Sequence, residues 1–227
     1  MTLDLKGWTI VYDLDGTLVE SAPDLHAALT HTLANLNLGP VPLDEIRNFI
    51  GDGAKALIQR GLAYHQHEVD EAQLVEHLWP NFLDYYAEHA ADLSHPFEGV
   101  IEALEQFRSA GAKQAVCTNK AHNLARLVLE GLHLNNYFSV VTGGDTYNYR
   151  KPDGQHILST LQHIDANPSR AIMVGDAYTD ERAARDAELP FVFVQFGYGR
   201  LTLPPRSEDR MITHWREMQH AIESIID

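Results

Sequence analysis

The stretch that decides the fold is WTIVYDLDGTLV, residues 8–19. It begins with a short apolar, β-branched run, which is typical of a strand buried on both faces. Two carboxylates, Asp13 and Asp15, follow directly, and Gly16 then allows a sharp turn of the backbone. The carboxylates should therefore lie close together at a strand end. Because Asp-Gly turns are common between elements, this stretch alone leaves a plain turn and a functional site equally open.

Three later runs have the same apolar character, and each follows a helical pattern. They are residues 114–117, 171–174 and 191–194. Strands that alternate with helices indicate a parallel sheet with helices on both faces. In such sheets, ligands bind at the carboxyl ends of the strands. The predicted fold is an α/β core with three layers, built like a Rossmann sheet.

Residues 21–92 differ, because they read as successive helices without a strand run. Ser21 is expected to cap the first helix with its hydroxyl, with Pro23 in the first turn. The helical pattern over residues 69–91 contains Pro80, where a bend is expected.

Residues 94–99 read as a linker that ends the helical stretch. The sequence therefore predicts an all-helical cap, residues 19–94, inserted into a catalytic core. That core is formed by residues 1–18 together with residues 95–227.

The charge balance limits the possible partners. Of 227 residues, 32 are acidic and 17 are basic, which gives a net charge of −15. Nucleic acids and anionic membranes are disfavoured, since their phosphates need a basic face. A single cysteine, Cys117, excludes an internal disulfide. With no secretory signal or membrane-spanning run in the sequence, a cytoplasmic location is expected.

Three further segments carry polar residues at predicted strand ends or helix starts. They are residues 118–120 (TNK), 150–152 (RKP) and 175–180 (GDAYTD). Each has a plain structural interpretation, as a helix cap or a solvated turn. Together with the two carboxylates, however, they supply a nucleophile, an acid, phosphate-binding donors, a cation and a metal ligand. Phosphoryl transfer needs this combination, and paired carboxylates favour Mg²⁺.

In order and spacing, these four segments resemble the four motifs of the haloacid dehalogenase-like hydrolases, and the helical insertion resembles that family's cap. The resemblance implies that Asp13 is the nucleophile and a Mg²⁺ ligand. It implies that Asp15 is the general acid and base, with its backbone carbonyl on the metal. Because an acid stands at position 15, the dehalogenase and phosphonate-cleaving branches, which have another residue there, are disfavoured.

The resemblance also assigns the later motifs. Thr118 and Asn119 are expected to bind the phosphoryl oxygens. Lys151 is expected to offset the charge of the nucleophile and the phosphate, and Asp176 to bind Mg²⁺. For Asp180 two roles remain open, orienting Lys151 or supporting the metal through water.

The predicted cap loop is similar to that of the phosphoglycolate phosphatase branch. Its candidate substrate contacts are Arg47, Gly51, Asp52, Gly53 and Lys55. In this interpretation Arg47 or Lys55 would meet the carboxylate of 2-phosphoglycolate, whereas the alternative is an ordinary turn between helices.

The favoured function is thus a Mg²⁺-dependent phosphomonoester hydrolase acting on a small phosphorylated metabolite, with phosphoglycolate first. Sugar phosphates, nucleoside monophosphates and pyrophosphate remain alternative substrates. A phosphotransferase similar to β-phosphoglucomutase is a further alternative, and a non-catalytic binding protein is the least favoured. Whether the chain is a monomer or a homodimer stays open.

Overall fold

A six-stranded parallel sheet forms the centre of the computed structural model, which describes residues 3–226. Residues 3–226 contain eight strands, six in this sheet and two, β2 and β3, in a separate pair. They are β1 (Thr9–Tyr12), β2 (Val19–Glu20), β3 (His95–Pro96), β4 (Lys113–Cys117), β5 (Val140–Thr142), β6 (Ala171–Gly175), β7 (Phe191–Val194) and β8 (Arg210–Ile212). The order across the sheet is β5-β4-β1-β6-β7-β8. The chain runs outward from β1 in both directions, so the crevice expected at such a reversal lies at the carboxyl end of β1.

Helices cover both faces of this sheet. The helices are α1 (Ala22–Ala34), α2 (Leu43–Phe49), α3 (Ala54–Tyr64), α4 (Glu71–Gln73), α5 (Trp79–Glu88), α6 (Val100–Ser109), α7 (His122–Gly131), α8 (Gln155–His163), α9 (Tyr178–Asp186) and α10 (Met218–Ile226). Ile10 and Tyr12 pack in the apolar cluster that includes α6, α7 and α10, whereas Val11 packs with α8 and α9. This alternation along β1 produces three layers, and the predicted fold class is confirmed.

All four predicted strands are present, but four other strands were missed. β5 and β8 are three-residue strands at the two edges of the sheet, and both are too short for a periodic pattern. β2 and β3 form a two-residue antiparallel pair, Val19 opposite Pro96 and Glu20 opposite His95. The interpretation of residues 94–99 as a plain linker was therefore wrong. A pairing this short is set by contact between distant segments and leaves no local signal.

Helices α1 to α5 occupy the chain between β2 and β3, and no strand lies among the described residues of that span. The long helical pattern over residues 69–91 is interrupted by a π-helical turn, Leu74–Leu78, where the Trp79 N–H donates to the Leu74 carbonyl. Pro80 lacks the N–H that the next regular bond would need, and this accounts for the irregularity. The exact division at residues 19–94 stays a prediction. Within residues 3–226, no helix is long and apolar enough to cross a membrane.

Candidate active site

The polar segments meet at one rim of the sheet, because β1, β4 and β6 are parallel neighbours and end together. A cavity of about 600 Å³ lies between this rim and the helical insertion. From the rim it is lined by Asp13, Asp15, Thr118, Asn119, Lys120, Gly144, Asp145 and Arg150, among others. From the insertion it is lined mainly by residues of α3, α5 and the loop before α3. Its size is that of a small-molecule site.

A buried ammonium group stands between two carboxylates below the cavity. Lys151 is 1% exposed, and its Nζ lies 2.6 Å from Asp180 Oδ1 and 2.9 Å from Asp13 Oδ1. It donates a hydrogen bond to Asp180, whereas Asp13 Oδ1 has no aligned donor among the described residues. The interpretation of residues 150–152 as a solvated turn is excluded for Lys151.

Asp180 ties this lysine to the turn that follows β6. Its Oδ1 accepts from Lys151, and its Oδ2 accepts the backbone N–H groups of Asp176 and Ala177 at 3.1 and 3.0 Å. Both oxygens therefore have partners. Asp180 thus links Lys151 to this turn.

Asp176 is held by three donors at the floor of the site. Its Oδ1 accepts from the Thr17 hydroxyl at 3.3 Å, and its Oδ2 accepts the N–H groups of Tyr198 and Gly199 at 2.7 and 3.1 Å. Gly16, with φ +80°, passes so close that a Cβ there would lie 2.5 Å from Asp176 Oδ2. Glycine is required at this position for both its conformation and its size.

The acidic cluster carries more negative than positive charge. Carboxylate oxygens of Asp13, Asp176 and Asp180 lie within 4.8 Å of one another, and Lys151 is the ammonium group paired with them. Burial raises the pKa of Asp13 to about 6, although Lys151 acts to lower it. Burial, and then the carboxylates of Asp180 and Asp13, raise the pKa of Asp176 to about 8. An all-oxygen cluster in which three carboxylates face one ammonium group fits a hard divalent cation.

The partner of Asp15 is a residue to which the sequence analysis gave no role. Lys120 Nζ lies 2.8 and 2.9 Å from the two Asp15 oxygens. The Ser21 hydroxyl also donates to Asp15 Oδ1, at 2.5 Å. Ser21 precedes α1 but makes no side-chain cap bond, so the predicted capping hydroxyl was wrong. The TNK segment was the available signal for Lys120, yet nothing in it identifies an acid 105 residues away.

Lys120 also contacts the helical insertion. Its Nζ lies 4.6 Å from the ring centroid of Tyr86 on α5, a distance typical of a cation–π contact. Burial acts to lower the pKa of Lys120, but Asp15 and then Tyr86 outweigh it, and the pKa is raised. Lys120 therefore stays charged and links the carboxylate of Asp15 to the insertion.

The two candidate phosphate-binding residues are placed differently. Thr118 is buried at the rim and lines the cavity. Asn119 also lines it, but its side-chain N–H groups donate to the carbonyls of Gly51 and Lys151, both at 3.0 Å. The amide of Asn119 thus fastens the predicted cap loop to the lysine segment, and it does not offer these donors to a phosphate.

Four of the five predicted loop contacts line the cavity, namely Gly51, Asp52, Gly53 and Lys55. The Asp52 carboxylate is already engaged by Arg60 and by the Tyr178 hydroxyl, the latter at 2.8 Å. Lys55 Nζ lies 4.1 Å from the centroid of the Trp79 ring.

Arg47 is the exception among the loop residues. It lies outside the cavity lining and pairs with Asp44 at 2.9 Å and Glu20 at 3.5 Å. Its predicted contact with substrate is therefore corrected. Periodicity places Arg47 on α2, but it does not show which face of α2 is turned away from the cavity.

A parallel sheet with this acidic rim, a buried lysine and a helical insertion defines a hydrolase of the haloacid dehalogenase type. The chain belongs to that family, since the family model "Haloacid dehalogenase-like hydrolase" matches residues 10–194. It is 40% identical over 223 residues to a Caulobacter vibrioides protein named phosphoglycolate phosphatase, covering 98% of this chain and 94% of that protein. An Agrobacterium fabrum protein of the same name is 39% identical over 212 residues, which cover 93% of this chain and 91% of that protein.

Solved structures agree with this assignment. The crystal structure of a predicted phosphoglycolate phosphatase from Haemophilus somnus 129pt superposes with a TM-score of 0.85 and 27% identity. The match covers 97% of this chain and 98% of that one. The resemblance seen in the sequence, to the family and to its phosphoglycolate phosphatase branch, is confirmed.

Proposed function

We propose that the chain is a Mg²⁺-dependent phosphomonoester hydrolase that works through an aspartyl-phosphate and takes 2-phosphoglycolate as substrate. The observation that carries the proposal is the position of Lys151, buried between Asp13 and Asp180 beside Asp176. In this arrangement the ammonium of Lys151 offsets negative charge at the place where the Asp13 carboxylate would attack an anionic phosphate. The choice of substrate is supported by the names of the two bacterial relatives.

The proposed reaction has two steps. A carboxylate oxygen of Asp13 attacks phosphorus, the bond from phosphorus to the ester oxygen breaks, and Asp15 donates a proton to that oxygen. Asp15 then removes a proton from water, whose oxygen attacks the phosphorus of the aspartyl-phosphate and returns Asp13 as a carboxylate. Thr118 would hold the phosphoryl oxygens, and Lys151 would offset their charge.

Three groups would hold the Mg²⁺ ion: the carboxylates of Asp13 and Asp176, and the backbone carbonyl of Asp15. When bound, the ion supplies positive charge that stabilises the phosphoryl group in the transition state. Asp180 serves as the residue that orients Lys151, since its Oδ1 accepts the hydrogen bond of the Lys151 ammonium and its Oδ2 is held by two backbone N–H groups.

The test of this function is release of free phosphate from a panel of substrates, with Mg²⁺ and with the metal removed by EDTA. The panel holds 2-phosphoglycolate, a glucose phosphate, a nucleoside monophosphate and pyrophosphate. We expect release that depends on Mg²⁺ and is fastest with 2-phosphoglycolate. Faster phosphate release from the glucose phosphate would contradict 2-phosphoglycolate as the preferred substrate. Transfer of phosphate between sugar positions without free phosphate would favour the phosphotransferase.

Lys120 is proposed as a positioning residue that acts through Asp15. Lys120→Met should lower kcat with 2-phosphoglycolate by roughly 100-fold, because general acid–base catalysis commonly contributes 10²–10⁴-fold. In the first step, formation of the aspartyl-phosphate, the loss should be much smaller with p-nitrophenyl phosphate, whose leaving group needs no proton, whereas hydrolysis of the intermediate should slow equally for both substrates. Pre-steady-state release of the leaving group from both substrates measures the first step, and Asp15→Asn should show the same pattern. An equal loss in the first step on both substrates would contradict a role through Asp15.

We also propose where and in what form the protein acts. It would be a cytoplasmic monomer or homodimer that binds a small phosphorylated metabolite. The net charge of −15 supports a small ligand over a nucleic acid or an anionic membrane.

A further inference from the structure

The charged residues that line the cavity are not all engaged by one another. Three cations line it: Lys55, Lys120 and Arg150. Lys120 is paired with Asp15. Lys55 and Arg150 form no ion pair with a carboxylate among residues 3–226, and Lys55 contacts only the face of Trp79 through its ammonium group.

The carboxylates of the cavity, by contrast, all have partners. Asp13 is paired with Lys151, Asp15 with Lys120 and Asp52 with Arg60. Asp145 accepts the backbone N–H of His122 at 2.7 Å. The two cations without a carboxylate partner are therefore available to an anion that enters the cavity.

These two cations come from opposite walls and lie near the same loop. Arg150 directly precedes Lys151 in the core, and its Nη1 lies 3.5 Å from the point where a Cβ on Gly53 would be. Lys55 lies two residues beyond Gly53, in the first turn of α3. The guanidinium thus reaches from the segment of Lys151 to the loop that precedes α3, the helix that carries Lys55.

We infer that Arg150 and Lys55 form a second anion subsite, which binds a carboxylate carried by the phosphate ester. This inference rests on the proposed function and narrows its substrates to phosphomonoesters with a second anionic group. A guanidinium can bind a carboxylate through two parallel hydrogen bonds. Arg150 becomes the residue that determines specificity from the core side, a role that the sequence analysis did not assign to it.

The rest of the lining favours such an acid over a sugar phosphate. The insertion contributes mostly apolar side chains to the cavity: Leu25, Ile50, Leu57, Trp79, Phe82 and Leu83. These apolar side chains cannot pair with the hydroxyl groups of a sugar ring, which would have only a few polar partners on this wall, such as Gln59 and Tyr86. Buried hydroxyls without partners oppose binding. A short ester with one carboxylate needs only the two cations.

The test compares 2-phosphoglycolate with 2-hydroxyethyl phosphate, which has a neutral hydroxymethyl group in place of the carboxylate. In Arg150→Gln, kcat/KM for 2-phosphoglycolate should fall on the order of 10- to 100-fold, mostly through KM, as expected for a lost charged hydrogen bond. For 2-hydroxyethyl phosphate it should change by less than about twofold. Lys55→Met should act in the same direction, and Arg150→Lys should retain part of the preference.

Arg47→Gln is the matched control, because Arg47 is a nearby arginine that lies outside the cavity. It should leave both substrates unaffected. Titration calorimetry with 2-phosphoglycolate in an Asp13→Asn background makes the same comparison without turnover, and Arg150→Gln should weaken binding there by about tenfold or more.

The outcomes separate the inference from the proposed function. If the parent protein prefers 2-phosphoglycolate and Arg150→Gln keeps both that preference and the affinity, only the subsite is overturned. If Arg150→Gln lowers kcat/KM equally for both substrates, Arg150 acts on the phosphate group that they share, and the subsite is again overturned. If the parent hydrolyses both esters equally well and binds 2-phosphoglycolate no tighter, the substrate proposal and the subsite both fail.

Discussion

Asp13→Asn is expected to lower kcat for phosphate release from 2-phosphoglycolate by roughly 10⁴-fold or more, since losing a nucleophile removes the covalent route altogether. The carboxamide has nearly the shape of the carboxylate but cannot form the aspartyl-phosphate. It also withdraws one anionic oxygen from the acidic cluster. Phosphate release with saturating Mg²⁺ measures the loss, and trapping with radiolabelled substrate should detect phosphoprotein in the parent and none in the variant.

The fold should survive this change. Burial raises the pKa of Asp13 to about 6, which means that the folded protein disfavours its charge near neutral pH, so a neutral amide is tolerated there. Thermal unfolding should show a Tm no lower than that of the parent. Asp84→Asn, the same change at an exposed site on α5, is the control and should keep full activity. If Asp13→Asn kept its activity, Asp13 could not be the nucleophile.

Lys151→Met is expected to reduce the free energy of unfolding by about 3–5 kcal/mol, the usual cost of removing one partner from a buried ion pair. The thioether fills a similar volume, but Asp13 and Asp180 lose the ammonium that lies between them. Urea denaturation of the protein without Mg²⁺ measures the change. Lys6→Met, on the exposed surface, should change stability by less than about 0.5 kcal/mol.

A double-mutant cycle with Asp180→Asn identifies the cause of that loss. If the cost comes from an uncompensated carboxylate, the second substitution should restore on the order of 1–3 kcal/mol of stability to Lys151→Met. Activity should stay low in the double variant, because no cation then offsets the charge of the phosphate. Additive losses would show that packing, and not charge, explains the effect of Lys151.

Much of the site could be predicted because its functional residues lie in short contiguous segments of the sequence. Asp13 follows β1, Thr118 follows β4 and Asp176 follows β6, and strands that are parallel neighbours must end on the same rim. The structure brings Lys151 to that rim as well. The positions of Asp13, Thr118 and Asp176 therefore follow from strand recognition and from the connection rules of α/β sheets.

The predictions that failed concern the partners of individual side chains. Arg47, on α2 shortly before the cap loop, was a reasonable candidate for a substrate contact, but it pairs with Glu20 outside the cavity. The amide of Asn119 is taken by Gly51 and Lys151. In each case the residue type is suited to the predicted contact, but another group of the protein is its partner in the structure.

The family, the three-layer fold, the order of the motifs and the type of reaction are thus specified by sequence, since a buried strand followed by polar residues is a local pattern. The pairing of Lys120 with Asp15, and the absence of a carboxylate partner for Arg150 among residues 3–226, are seen only in the tertiary structure. Lys120 and Asp15 are 105 residues apart. The energy of such a charge pair depends on the distance between the groups and on their burial. Both are set by the folded chain, so a local sequence pattern cannot show them.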